Sequence, residues 1–370
     1  MTKVILKKAT YDYKKLKRAF AEIMDTIGGD LIGRNDRVLI KPNLLSPATP
    51  GEAILTHPMI VKAAVEYVLQ KGGRPQVSDS PAIGFFEKIM KESGIGNALA
   101  GLDVTCRAFD KSLKIDIGEP FNAIAMAEDA IQADVIINLP KLKTHSQMLL
   151  TLGVKNMFGC IVGYRKAEWH MRTGINRDMF ARLLILIYQK IRPRFTILDG
   201  ILAMEGEGPG KSGRPRALGI LLGSNDAFAV DSTVCRMLAL EADSLPTLRV
   251  AKEMGVMETE IEADGDLPII YDFRFPSISP LMYGPRKLHG FIRRHLLQRP
   301  VPDNLKCRMC AECWKICPAG AISLGEKKLS FDYDRCIRCF CCIEVCPYGA
   351  LHARETFPGG IIRKTVARHF

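Results

Sequence analysis

Two copies of a cysteine pattern near the C-terminus constrain this chain more than any other feature. The stretch CRMCAECWKICP begins at Cys307, and CIRCFCCIEVCP begins at Cys336. Both copies have the spacing C-x2-C-x2-C-x3-C-P, in which three cysteines wrap one corner of a cubane and the fourth reaches the other cluster. The spacing therefore predicts two [4Fe–4S] clusters. The predicted ligands of one cluster are Cys307, Cys310, Cys313 and Cys346, and those of the other are Cys336, Cys339, Cys342 and Cys317.

The residues around these cysteines predict a small ferredoxin-like α+β domain. PAGAI follows Cys317, a matching PYGAL follows Cys346, and ISLGEKKLSFDYD between the two halves has the pattern of a hairpin. Structural zinc sites usually use two separated C-x2-C pairs, so the spacing favours clusters over zinc. Cys341 breaks the spacing if it replaces Cys342. It is a spare ligand, a redox-active thiol or a packing residue, and the sequence leaves these roles open.

Size and composition predict a globular chain with more than one domain. The 370 residues, 47% of them hydrophobic and 25% charged, suffice for one large and one small domain. No run approaches the roughly eighteen apolar residues of a membrane helix, and the N-terminus lacks an apolar signal core, so we expect a cytoplasmic protein. The net charge of +12 is compatible with an acidic partner, an anionic substrate, nucleic acid or a membrane surface.

Short apolar runs alternate with helical patterns up to about residue 262. VLI, PQVS, DVIINLP, FTIL and AFAV are predicted strands, and PMIVKAAVEYVLQKGG has apolar residues at helical spacing. This alternation predicts an α/β domain with a mostly parallel sheet. The expected organisation is the α/β domain over 1–262, a linker rich in proline, glycine and basic residues over 263–303, the ferredoxin-like domain over 304–353 and a basic tail over 354–370.

Polar side chains lie just past the ends of the predicted strands. Because ligands of open α/β sheets bind at the carboxyl ends of the strands, we expect these side chains to converge on one cationic rim. Such a rim suits a carboxylate or a phosphate. The alternative is that they are ordinary polar loop residues or helix caps. The predicted ligand-binding set is Lys41, Asn43, Asp79, Lys141, Lys143, Lys155, Asn156 and Asp199.

Three further residues, His57, His145 and Glu205, are candidates for catalysis. The histidines are potential general acids, or metal ligands together with Asp79 or Glu205, although the sequence has no HExxH motif or facial triad. Glu205 lies in AMEGEGPGKSG, which ends like a phosphate-binding loop but has glutamate where that motif needs its first glycine. We therefore expect a glycine-rich loop near a ligand rather than an ATP site.

Several segments of the large domain resemble the domain-of-unknown-function family three-six-two. They are VLIKPNLL, THP, SDSP, INLPKLKTH, LGVKNMFG, LDGILAMEGEGPG and AVDSTVCRML, and they span most of residues 38–240. CIRCFCCIEVCP is similar to the ferredoxin tail often fused to that family. The resemblance implies a large domain joined to iron–sulfur clusters, and it attaches no general activity to the large domain.

Two functional hypotheses follow from these patterns. The first is an oxidoreductase that passes electrons between a soluble donor or acceptor and an anionic small molecule or cofactor on the large domain. A flavin or an additional metal is compatible with it, but no motif supports either. The second is a non-catalytic electron carrier or redox sensor whose large domain docks a partner. Nucleic-acid binding is disfavoured because the basic segments lack interleaved aromatic residues.

Overall fold

The computed structural model describes residues 2–163, 165–173, 176–258, 260–276, 295–326 and 328–356. Within them the chain forms a large α/β domain and a small C-terminal module of strands and short helices, which confirms the predicted fold class. The strands of the large domain are β1 (Thr2–Lys8), β2 (Arg37–Pro42), β3 (Arg74–Val77), β4 (Thr105–Cys106), β5 (Ser112–Asp116), β6 (Ala123–Ala127), β7 (Val135–Leu139), β8 (Lys141–His145), β9 (Leu149–Thr151), β10 (Phe195–Gly206), β11 (Gly213–Ser224) and β12 (Ile261–Asp264).

The helices of the large domain alternate with these strands along the chain. Short 3₁₀ turns at Gly29–Leu31, Pro50–Glu52, Met157–Cys160 and Ala242–Ser244 complete the connections. The α-helices are α1 (Tyr13–Thr26), α2 (Pro58–Gln70), α3 (Phe86–Glu92), α4 (Ile95–Leu99), α5 (Glu128–Gln132), α6 (Gly153–Asn156), α7 (Arg165–Thr173), α8 (Arg177–Ile191), α9 (Ala227–Met237) and α10 (Pro246–Glu253).

One ten-stranded sheet organises the large domain. Its main path has the order β12-β1-β11-β10-β7-β2-β3-β4; off this path, β8 pairs with β10 and β9 pairs with β8. Strands β10, β7, β2, β3 and β4 run parallel, with Val38 opposite both Val135 and Pro75, whereas β11 is antiparallel to its two neighbours. Parallel strands are usually buried on both faces, which explains why VLI and VIINL are apolar throughout.

Helices cover both faces of this sheet and enclose two hydrophobic cores. Phe180 of α8 and Phe228 of α9 lie in one core, and Phe20 of α1 and Val65 of α2 lie in the other. A sheet with helices on both faces leaves the carboxyl ends of its strands as the edge at which loops gather. The predicted ligand-binding residues are the ones expected at that edge.

The structure differs from the sequence-based expectation in one predicted strand. AFAV belongs to helix α9, which begins after Asp226, whose side chain accepts a hydrogen bond from the backbone of Phe228 at 2.8 Å. Asp231 is therefore a helical residue, and its buried carboxylate accepts the N–H groups of Gly153 and Val154. A side-chain cap of this kind favours a helix over a strand for a short apolar run.

Packing of the large domain extends past the expected boundary at residue 262. Strand β12 pairs in parallel with β1 as far as Asp264, and Phe273 is buried in the core. Of the expected linker, residues 277–294 lie outside the described residues, as do residues 357–370 of the basic tail.

The small module begins at a strand that precedes the first cysteine. Its elements form two antiparallel pairs, β13 with β16 and β14 with β15, and the second pair is the predicted hairpin. The elements are β13 (Arg299–Pro302), α11 (Glu312–Ile316), β14 (Ile322–Leu324), β15 (Leu329–Phe331), α12 (Cys341–Glu344) and β16 (Leu351–Arg354).

Candidate functional site

The eight predicted cluster ligands surround two separate cavities in the small module. One cavity measures about 320 Å³ and the other about 330 Å³. Each is lined by the first three cysteines of one motif and by the fourth cysteine of the other motif. The first is lined by Cys307, Cys310, Cys313 and Cys346, and the second by Cys336, Cys339, Cys342 and Cys317.

The backbone around both cavities is bent in the same way. Met309 and Ala311 have positive φ angles, and so do Arg338 and Phe340 at the equivalent places of the second motif. Such alternating left-handed residues turn successive N–H groups toward a common centre, an arrangement that holds anionic groups, including iron–sulfur clusters. The two halves of the module are thus built on the same local geometry.

The fourth cysteine of each motif also has the same surroundings in both halves. The Sγ of Cys317 accepts the N–H of Ala321 at 3.3 Å, and the Sγ of Cys346 accepts that of Ala350 at 3.2 Å. Hydrogen bonds to the sulfur ligands are one of the means by which proteins tune iron–sulfur clusters. The repeated bond therefore agrees with equivalent roles for the two cysteines.

The cysteine geometry suits a group larger than one metal ion. In the part of the chain that the structure describes, no three histidine, cysteine, aspartate or glutamate side chains converge closely enough to hold a single ion. A zinc ion would need its sulfur ligands about 2.3 Å from one point. Four cysteines spread around one cavity, without converging on a single point, agree better with a cubane.

The predicted ligand-binding residues of the large domain fall into two groups instead of one rim. In the first group, Lys41 forms a fully buried ion pair with Asp79 at 3.0 Å. Lys143 donates to Asn43 Oδ1 at 2.7 Å, and Asn43 Nδ2 donates to Asn156 at 2.9 Å. Burial, with a smaller contribution from nearby Lys155, lowers the pKa of Lys143 to about 7.

The second group is centred on Asp199 and packs inside the large domain. Lys141 pairs with this carboxylate at 2.8 Å, and both side chains are fully buried. Tyr11 donates to it at 2.8 Å, and the backbone N–H of His57 does so at 3.0 Å. The His57 ring stacks on Tyr11 at 3.4 Å and caps α2, and burial lowers its pKa to about 4. The Asp199 carboxylate is thus paired entirely inside the domain, by Lys141, Tyr11 and the backbone of His57.

A third, larger cavity lies between the first lysine group and the small module. It measures about 690 Å³ including its open mouth. The predicted residues Lys41, Asn43, Asp79, Lys155 and Asn156 line it from the large domain, whereas Lys141, Lys143, Asp199, His57, His145 and Glu205 do not. We call this space the central cavity. From the small module it is lined by Ile316, Cys341, Glu344 and Val345.

His145 connects the two sides next to the central cavity. Its Nδ1 accepts the backbone N–H groups of Gln147 and Met148, so the proton of the neutral ring resides on Nε2. Nε2 lies 2.9 Å from the carboxylate of Glu344. Burial lowers the pKa of His145 to about 4, so the ring beside this carboxylate is neutral. Its role is an interdomain contact.

Glu205 lies away from the central cavity, on the long strand β10. Its buried carboxylate accepts the backbone N–H of Arg274 at 3.3 Å. The glycine-rich segment that follows it nevertheless contacts the small module, since Gly210 approaches the backbone carbonyl of Glu344. The glycine-rich segment therefore forms a contact between the large domain and the small module.

Several residues of the central cavity were not predicted from the sequence, among them Lys166, His170 and Thr151. Lys166 and His170 lie four residues apart on α7, and Thr151 ends β9. Lys166 donates to the backbone carbonyl of Ser80, and burial lowers its pKa to about 8. The sequence signal for this pair was the i, i+4 spacing of Lys166 and His170 in RKAEWH, which places both residues on one face of a helix.

Comparison with known proteins now places the chain in a family. The family model described as a domain of unknown function (DUF362) matches residues 38–236, and a 4Fe-4S dicluster domain matches residues 306–350. A curated relative, the thylakoid-associated protein sll1697 of Synechocystis sp., is 34% identical over 310 residues, which cover 81% of this chain and 96% of that protein. The chain belongs to the DUF362 family, and it is an iron–sulfur protein with a ferredoxin-type module.

A solved structure also resembles the chain, at a much lower level. It is the lactate racemase apoprotein from Thermoanaerobacterium thermosaccharolyticum, with a TM-score of 0.39 and 14% identity. The match covers 61% of this chain and 55% of that one, so the chain spans about half the length of that protein. No inference about function follows from so distant a likeness.

None of the helices in the described part of the chain is long and apolar enough to cross a bilayer.

Proposed function

We propose that this protein transfers electrons through two [4Fe–4S] clusters between a soluble redox partner and an anionic molecule in the central cavity. The observation that carries the proposal is the lining of that cavity by both domains. Ile316, Cys341 and Val345 line it, and each is the direct chain neighbour of a predicted cluster ligand. Electron transfer from a cluster to a molecule in the cavity thus has a short path.

The proposed ligand sets are the crossed ones. Cys346 joins the first three cysteines of the other motif, and Cys317 does the same in reverse, as the lining of the two small cavities supports. The clusters, when bound, supply one-electron transfer at potentials set by their surroundings. The chain contributes the ligands, the turned backbone amides and a wall that separates the ligands from the central cavity.

We further propose that the soluble partner approaches the cavity lined by Cys307 and Cys310. Both cysteines are partly exposed. Tyr348, which is 49% exposed, lines that cavity, and Leu305, which is 92% exposed, lies two residues before Cys307 in the chain. Exposed apolar side chains around a redox site suit a transient protein contact. In each transfer the partner and the bound molecule exchange the same number of electrons, one being oxidised and the other reduced.

The anionic nature of the bound molecule is part of the proposal. Lys155 and Lys166 line the central cavity from the large domain, and no ion pair with either lysine is found among the described residues. Asn43 and Ser80 add neutral hydrogen-bonding groups to the same wall. Lysines and amides in a half-enclosed cavity are suited to carboxylates and phosphates.

The place of the protein in the cell stays a prediction. We propose a cytoplasmic protein, on the basis of the sequence. The name of the Synechocystis relative associates that protein with thylakoids. The net charge of +12 makes the surface of an anionic membrane the alternative location for this chain.

A cavity-filling variant tests the proposed electron path. Protein reduced under anaerobic conditions is mixed with oxidised organic anions, and reoxidation is followed by absorbance. Ala82 lines the central cavity, whereas Ala100 is exposed elsewhere. We expect saturable reoxidation that is lost in Ala82→Trp and retained in Ala100→Trp. A protein that only carries electrons or senses redox state would be reoxidised by protein acceptors alone, regardless of Ala82.

A further inference from the structure

The central cavity contains buried polar atoms without a protein partner. Thr151 and His170 are lining residues of the cavity whose side chains are 3% and 5% exposed, and Thr151 Oγ1 and His170 Nδ1 are buried atoms. Neither atom has a hydrogen-bond partner in the described part of the chain. Because an unpaired buried polar atom is costly, native proteins seldom leave one without a protein, water or ligand partner. Glu344 Oε1 is a third atom of this kind on a lining residue, and the three together favour a ligand that hydrogen-bonds.

The surroundings of His170 hold its ring in a defined orientation. The ring packs edge to face against Phe158 at 5.6 Å and lies 4.3 Å from the ring of Phe180. Burial lowers the pKa of His170 to about 4, so the imidazole is neutral at physiological pH. A neutral, fixed imidazole offers its free nitrogen to a polar group without adding charge.

The charges that line the cavity do not balance. Three lysines face two carboxylates there: Lys41 is paired with Asp79, and Glu344 is held by His145. With Lys155 and Lys166 counted beside Lys41, the lysines exceed the two carboxylates by one positive charge. Burial lowers the pKa of both lysines, which reflects the cost of holding the charge in this place. A monoanion would offset the excess.

Besides Asn43, Ser80 and Asn156, much of the remaining wall of the cavity is apolar. A small inorganic anion would leave this surface in contact with water, whereas an apolar body would cover it. The enclosed part of the cavity, about 100 Å³, suits a small organic molecule that reaches toward the open mouth. The apolar lining consists of Leu44, Leu45, Ala82, Phe158, Ile316 and Val345.

We propose that the central cavity binds a monoanionic organic acid with an apolar body. Its carboxylate rests on Lys155, Thr151 and His170 complete its hydrogen bonds, and its body packs against Ile316 and Val345. This inference deepens the proposed function and rests on it for the identity of the cavity as the ligand site. It specifies the chemical class of the ligand, which the proposed function leaves as any anion.

The test measures binding to the anaerobically purified, cluster-loaded protein by calorimetry. The probes are 3-phenylpropionate, benzoate and isovalerate, compared with 3-phenylpropionamide as the neutral analogue, acetate as the acid without a body, and inorganic phosphate. We expect at least one of the three acids with an apolar body to bind. Its amide, acetate and phosphate should each bind at least about tenfold more weakly, as the loss of one charge-assisted bond or of the apolar contact implies.

Variants then assign the binding to the proposed residues. Lys155→Met should weaken binding of the acid about tenfold or more, and Thr151→Val, which keeps the volume, should weaken it several-fold. Lys252 is an exposed lysine of α10 outside the cavity, and Lys252→Met should leave binding unchanged. Thr151→Val provides an independent measurement if Lys155→Met does not fold.

Three results would overturn the inference. They are equal affinity for an acid and its amide, tighter binding of phosphate or acetate than of the larger acids, and no binding of any of the three acids at about 1 mM. The proposed function is tested independently of this inference. If the acid binds as expected but filling the cavity leaves reoxidation unchanged, the ligand class stands and the electron path is wrong. If reoxidation depends on the cavity but the acids do not bind, the electron path stands and the ligand class is wrong.

Discussion

His145 Nε2 lies 2.9 Å from the carboxylate of Glu344, and this contact joins strand β8 of the large domain to helix α12 of the cysteine module. The His145 ring is itself fixed, because its Nδ1 accepts two backbone N–H groups. Glu344 lies midway between the predicted ligands Cys342 and Cys346. The contact therefore holds the ligand-bearing helix against the central cavity.

Removing the donor of this contact should loosen helix α12. In His145→Phe, the buried Glu344 carboxylate faces an apolar ring in place of a polar one, and a buried polar group that loses a polar contact typically costs roughly 1–3 kcal/mol. We expect amide hydrogen exchange in residues 341–344 to become at least about tenfold faster. His145→Gln retains an N–H donor and serves as the control, with an intermediate or unchanged rate. Unchanged exchange in His145→Phe would mean that the contact does not hold the helix.

The crossed ligand sets make a specific prediction for cysteine variants. Cys346→Ser should perturb the cluster held by Cys307, Cys310 and Cys313, and Cys317→Ser should perturb the other one. EPR spectra of the reduced variants and iron analysis provide the measurement, since each substitution should alter or remove one of two signals. Cys106→Ser, at an exposed cysteine outside the module, is the control. If Cys346→Ser and Cys317→Ser affect the same signal, the crossed assignment is wrong.

The cysteine module was predictable from the sequence because its geometry is local. The spacing within each motif determines how the backbone turns, and the same turn recurs at Met309 and Arg338. The spacing of the two motifs also predicted the cavity that each fourth cysteine lines, with Cys346 at the first and Cys317 at the second. Strands β2 and β3 were also predictable, because each contains a short apolar run, but Lys41, Lys141, Lys143 and Asp199 lie inside strands and not just past their ends as expected.

The division of the lysines was not predictable from the sequence. Lys141 and Lys143 are alternate residues of the same strand, but one pairs with Asp199 and the other bonds to Asn43. These partners come from distant parts of the chain, and strand-end position alone does not identify them. The role of Lys166 was missed for the same reason, because its helix follows no predicted strand and approaches Ser80 only in the folded chain.

The buried pair of Lys141 and Asp199 should matter for stability and not for ligand binding. Both side chains are fully buried, so Lys141→Met leaves an uncompensated carboxylate inside the domain. We expect the free energy of unfolding in urea to fall by about 3–5 kcal/mol. The exposed pair of Arg18 and Glu22 is the control, and Arg18→Met should change it by about 1 kcal/mol or less. Equal effects of the two substitutions would contradict this assignment.

Lys166 should make stability depend on pH in the alkaline range. Its pKa is about 8 in the folded protein, against 10.5 for an ordinary lysine. Between these values the unfolded chain binds a proton that the folded protein has released, so the free energy of unfolding should rise with pH from about 8 to 10.5.

The matched variant separates this contribution from other groups. In Lys166→Met, the rise in the free energy of unfolding between pH 8 and 10 should be smaller by roughly 1–3 kcal/mol than in the wild type. Urea titrations at a series of pH values provide the measurement. Lys252→Met, at an exposed lysine, should retain the wild-type pH dependence. A flat profile in the wild type would show that Lys166 titrates normally.

The most direct test of the central claim is the composition of the anaerobically purified protein. Iron, acid-labile sulfide, zinc and flavin are measured, and EPR spectra are recorded after reduction with dithionite. The account predicts about eight iron atoms per chain, a similar amount of sulfide and the spectrum of two interacting reduced cubanes. Zinc in place of iron, or about four iron atoms with a single isolated signal after complete reconstitution, would contradict it.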